Sequence, residues 1–176
     1  MTYRLPALLA AAALVATGPA VAANGPNDAQ IAHIAYTAGA IDVAAAKQAL
    51  AKSRNATVRE FASEMVRDHE AVNAKALDLV KALKVTPEDN STSAALNKGA
   101  ADAQKTLDAL NGAAFDKAYL ANEVAYHRTV NGALQSTLIP SASNAQLKSL
   151  LETGRSANLV RDKAELITRR LATQGP

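Results

Sequence analysis

From Asn27 onward, apolar residues recur every three or four positions through nearly the whole chain, and the prolines fall between the periodic segments. That period is the signature of helices with one buried face, and no stretch alternates as a half-buried strand would. Alanine and leucine dominate while aromatic residues make up only 3%, a composition that favours helix. The expected fold is therefore all-α.

The periodicity divides into four long helices and a shorter one. The first runs from about Asn27 to Lys52, with Asn27 or Asp28 as its cap and Ile31, Ile34, Ala38, Ile41 and Ala45 as its apolar stripe. A second line on that helix, Tyr36, Val43 and Leu50, marks a further face, either covered by the core or turned to a partner. The second helix starts near Asn55, where Thr57 and Glu60 are spaced as a capping box and Asn55 is the competing cap. Its buried face reads Val58, Phe61, Met65, Val72, Leu79 and Leu83. A polar connection after Pro87 leads to a short helix from about Ala94 to Leu110, ended by Asn111 and Gly112. The third long helix spans about Ala113 to Leu138 and is stopped by Pro140. The fourth opens after Ser141 or Ser143 and runs to about Leu171. Short polar links between long amphipathic helices favour antiparallel neighbours, giving an antiparallel four-helix bundle with one additional short helix.

The first two dozen residues read differently. Arg4, an uncharged apolar run from Ala7 to Ala16, and the small tripeptide Ala20-Val21-Ala22 have the order of an export signal cleaved after residue 22. The run is shorter than the roughly 20 residues that span a bilayer. Residues 1–22 are thus read as a cleaved signal peptide, 23–176 as a single domain, and the periplasm as its location, with no transmembrane segment in the mature chain. The chain has no cysteine, so disulfides cannot staple it. Only Arg4 of the 19 basic residues lies in the signal, which leaves 18 against 16 acidic residues. Such a small surplus, without a basic face or interleaved aromatics, argues against nucleic acid as a partner.

Function in a bundle is usually built from polar groups that project into the core. His69 falls within about 20° of Val58 on the helical wheel, amid Met65, Val72 and Ala76. On the third long helix, Asp116, Glu123 and His127 sit inside an arc bounded by Phe115, Tyr119, Tyr126 and Val130 on one side and by Leu120, Leu134 and Leu138 on the other. Glu123 and His127 are one turn apart and can share a ligand or bond each other. The structural alternative has Asp116 neutralising the helix start and Glu123 pairing with His127. On the fourth helix the stripe Leu147, Leu150, Leu151 and Gly154 continues into Asn158 and Arg161, which can then face Glu123. His33 lies off the core stripe and reads as a surface residue.

Three segments, Phe61 to His69, Phe115 to Leu120 and Glu123 to His127, resemble the bacterial domain-of-unknown-function family DUF4142. The resemblance implies a ferritin-like fold. Members typically carry a further histidine on the last helix, at the position of Asn158 or Val160 here, so this chain departs from a three-histidine pattern.

A di-iron oxidase of the bundle type needs Glu three residues before a histidine on two helices. Gln30, Val66 and Val124 stand there instead, and His-Glu-x-x-His is absent. The chain is therefore expected not to be an enzyme. The first reading is an exported envelope interaction or stress-related protein, meeting an envelope protein or a membrane surface. The alternative is a binding module in which His69, His127 and Glu123 hold a divalent transition metal or small ligand, with Asp116, Asp68 and Asn158 as further ligand positions. Imidazole and carboxylate together suit zinc, iron, copper or nickel.

Overall fold

The structure, a computed structural model, describes residues 25–155 and 158–173, and the side chains of 155–161 fall outside that description, as does the expected signal peptide. The described residues form an all-α bundle without strands. Its elements are α1 (Asp28–Lys52), α2 (Ala56–Leu83), α3 (Ser91–Asp108), α4 (Gly112–Ala133), a π-helical turn (Leu134–Leu138), α5 (Ile139–Ser141), α6 (Ala145–Arg155) and α7 (Asn158–Thr173). None of the described helices is long and apolar enough to cross a membrane.

Side-chain caps set most helix starts. Asn27 accepts from the Gln30 amide at 2.9 Å while the Gln30 side chain accepts from the Asn27 amide at 3.2 Å, a reciprocal capping box. Asn55, not Thr57, caps α2, accepting from the amides of Thr57 and Val58. The α6 cap is Asn144, one residue past Ser143 and three past Ser141, and the Asp28 carboxylate accepts from the amides of Ser143 and Asn144. The start of α1 is thereby tied to the start of α6.

Pro140 does not stop the third long helix where its sequence implies. Widening to a π turn moves the Ile139 amide onto the Leu134 carbonyl, five residues back, and helical backbone continues through Pro140 to Ser141. A proline in the first turn of a new helical segment has no amide to satisfy there, so it is tolerated. The wide turn also keeps Leu134, Leu138 and Ile139 on the buried side.

The core has two apolar ends. One gathers Val58, Phe61 and Met65 of α2 with Phe115, Tyr119 and Leu120 of α4, Ala46 and Ala49 of α1, and Ala164 and Ile167 of α7. Phe115 and Tyr119 stack nearly parallel at 6.2 Å, and Phe61 meets Tyr119 edge-on at 6.1 Å. The other end joins Ile31 and Ile34 to Leu134, Leu138 and Ile139 and to Leu147 and Leu151 of α6. On each of α1 and α4 the chain passes from one end to the other through a buried polar residue. Beside this layer the Asn73 side chain of α2 fills the space over Gly39 of α1 that a Cβ would need.

Candidate functional site

The polar layer is built from three helices. Asp42 of α1, His69 of α2 and His127 of α4 bring one ligand atom each to within 4.8 Å of one another. His69 Nε2 lies 3.1 Å from Asp42 Oδ2, and His127 Nε2 lies 3.6 Å from that same oxygen. The two imidazole rings meet edge-on at 5.7 Å.

Each histidine is oriented by its own helix. His69 Nδ1 donates to the Met65 carbonyl and His127 Nδ1 to the Glu123 carbonyl, both at 3.0 Å and both one turn back. A neutral imidazole that donates through Nδ1 presents a bare lone pair at Nε2. Three acceptor atoms therefore converge in a buried layer, an arrangement that repels itself unless a cation sits among them. A proton on His69 Nε2 covers the 3.1 Å contact, but it leaves His127 Nε2 and Asp42 Oδ1, both fully buried, without a hydrogen bond. Burial opposes the charged form of His69, yet the Asp42 hydrogen bond and charge outweigh it and hold the imidazole above its ordinary pKa.

A divalent metal placed among them would meet all three atoms at once. Around a tetrahedral zinc with bonds of about 2.1 Å, two ligand atoms stand roughly 3.4 Å apart. The separations here, 3.1 and 3.6 Å, lie on either side of that figure. Backbone carbonyls on the far nitrogens supply the outer hydrogen bonds that metal-bound histidines ordinarily make.

Of the residues singled out from sequence whose side chains are described, the fold brings His69 and His127 together and leaves Glu123, Asp116 and Asp68 outside the converging atoms. Glu123 is almost wholly buried but stands behind His127, its Oε2 3.8 Å from Nδ1, the ring nitrogen that faces away from Asp42. Neither of its oxygens makes a hydrogen bond of ordinary geometry. Burial, and then the Asp42 charge, push its carboxyl well above the usual carboxylate range, against a smaller pull from the Asn122 amide. Asp116 is buried too, eleven residues from His127 and so about 16 Å away along the helix axis. Asp68 is exposed and pairs with Arg67 at 2.7 Å. The side chains of Asn158 and Arg161 lie outside the described residues. His33 is half-buried, with Nε2 3.1 Å from Asp89.

Asp42 is the residue that sequence reading misses. Its signal was present: Ala38, Asp42, Ala46 and Ala49 continue one another at four-, four- and three-residue spacing, and all four are buried. Following Ile41 and Ala45, which are apolar but only half-buried, turned the stripe past it. Two tyrosines frame the layer. Tyr126 donates to the Ala38 carbonyl at 3.0 Å and pins α4 to α1. The buried Tyr119 hydroxyl has no hydrogen bond, and burial with the Glu123 and Asp42 charges pushes it far up.

Comparison with curated proteins and comparison with solved structures each gave no match. The family model described as "Domain of unknown function (DUF4142)" matches residues 13–159, most of the chain, and the protein belongs to that family.

Proposed function

We propose that this chain is an exported, non-catalytic module that binds a divalent transition metal through Asp42, His69 and His127. The observation that carries the reading is the convergence of three acceptor atoms within 4.8 Å of one another, with both imidazole nitrogens at distances from the Asp42 oxygen close to those around a tetrahedral metal. Two imidazoles and one carboxylate suit zinc, copper, nickel or ferrous iron. Export rests on the order of Arg4, the apolar run and Ala20-Val21-Ala22. The envelope-interaction reading has less behind it. Among the described residues the large exposed apolar side chains are Tyr36, Leu77 and Leu166, on three different helices.

Thermal unfolding titrated with each metal tests the reading, because a ligand that binds only the folded state raises its stability. At a hundredfold excess over Kd the gain is about 2.7 kcal/mol. That corresponds to roughly 5–11 °C for a domain of this size. The rise should vanish in the His69→Ala/His127→Ala double variant. No shift with any of the four metals, or an equal shift in the double variant, would overturn the proposal.

A further inference from the structure

The three converging atoms do not end in packed core. Asp42, His69 and His127 form part of the wall of a cavity of about 320 Å³, whose other walls are largely apolar and include Ile34, Val72, Val130, Leu134 and Leu151. That is about twice the volume of a cavity that takes up benzene, so a chain of roughly eight to ten carbons fits.

The charge at the polar end determines what such a chain must carry. Two neutral imidazoles and one carboxylate around a divalent cation leave a net single positive charge. Glu123 supplies no ligand oxygen to it, since it faces the far side of His127. Three protein ligands on a tetrahedral metal leave one position open. A buried uncompensated charge is costly, so an anionic fourth ligand is favoured over a neutral one.

We propose that a small aliphatic carboxylate occupies this cavity, its head on the metal held by Asp42, His69 and His127 and its tail along Ile34, Val72, Val130, Leu134 and Leu151. This rests on the metal-binding reading above and adds to it the class of molecule bound. The fit has three parts: an anionic head for the residual charge, a single donor for a single open position, and an apolar tail for an apolar wall.

The test is calorimetric titration of the zinc-loaded protein with acetate, butanoate, hexanoate, octanoate and dodecanoate. Affinity should rise about fourfold per added methylene up to about eight to ten carbons and then level off or fall. Octanoate should bind far more weakly to protein stripped of zinc, and methyl octanoate, which lacks the charge, more weakly to the loaded form. An Ala76→Phe variant, which adds bulk to the cavity wall, should keep zinc and acetate and lose the gain from chain length. If zinc binds but octanoate is held no better than acetate, the carboxylate proposal is wrong and the metal reading stands. Octanoate binding equally with and without zinc, or methyl octanoate matching it, likewise overturns the placement of the head. A protein that takes up no zinc overturns both.

Discussion

Replacing Glu123 should make the metal-free protein more stable, and by an amount that grows with pH. The side chain is 1% exposed and neither carboxylate oxygen makes a hydrogen bond of ordinary geometry. A buried polar group left in that condition costs about 1–3 kcal/mol. Glu123→Met keeps the length of the side chain and removes both oxygens, so it should recover roughly that amount. For a domain of this size the melting temperature should rise by about 2–12 °C. The pH dependence follows from the direction of the shift. A carboxyl whose folded pKa is raised binds its proton more tightly in the folded state. Its contribution is therefore most favourable below the unfolded value of about 4.3, and stability is lost as pH rises through the folded pKa. Scanning calorimetry in the presence of a chelator, at pH 4.5 and pH 8, measures both effects. Glu123→Gln, which stays neutral, should also gain more at pH 8 than at pH 4.5. Melting of the methionine variant at or below the wild-type temperature at both pH values would refute the reasoning, because the oxygens would then be engaged in the fold.

Four further outcomes follow from the geometry. Asp42→Asn removes the only anionic ligand, and zinc affinity measured by competition with a chromophoric chelator should fall by more than the 10–100-fold that outer-shell changes cost. Glu123→Gln, by contrast, should retain zinc in that assay, since Glu123 stands outside the converging atoms. In metal-free protein the His69 ring, followed by NMR, should titrate above about 6.5, and in Asp42→Asn below it, because burial then acts without the opposing carboxylate. Phe61→Ala, at a fully buried aromatic contact, should cost about 3–5 kcal/mol in denaturant unfolding, against about 1 kcal/mol for loss of the α2 cap in Asn55→Ala.

The helical frame was legible because its determinants are local. Spacing, caps and breakers lie within a turn or two of the residues they govern, and both ends of α1 and the start of α2 fall within about a residue of where sequence places them. The failure at Pro140 has a nonlocal cause. Keeping Leu134, Leu138 and Ile139 in the far core cluster favours a π turn, and the π turn is what accommodates the proline. Propensity alone carries no record of that packing, and a proline inside a helical pattern ordinarily ends it.

The site was legible on two helices and illegible on the third, for one physical reason. His69 and His127 stand out because histidine is rare here, three in the whole chain, and both fall within clear apolar arcs. Glu123 and Asp116 were conspicuous in the same way, and both are indeed buried. But depth within one helix says nothing about which way a side chain faces across the bundle. Glu123 meets the wrong edge of an imidazole, and Asp116 sits three turns away at the aromatic end of the core. Asp42 was hidden by its neighbours. In a helix as alanine-rich as α1 the apolar stripe is broad, so Ile41 and Asp42 compete for the inward position with almost equal claim. What decides between them is α4, where Tyr126 grips the Ala38 carbonyl and fixes α1 so that position 42 faces His127. The Asp42 carboxylate faces inward to where His69 and His127 of two other helices converge. That pairing exists only once three helices are assembled, and no window of the sequence contains it.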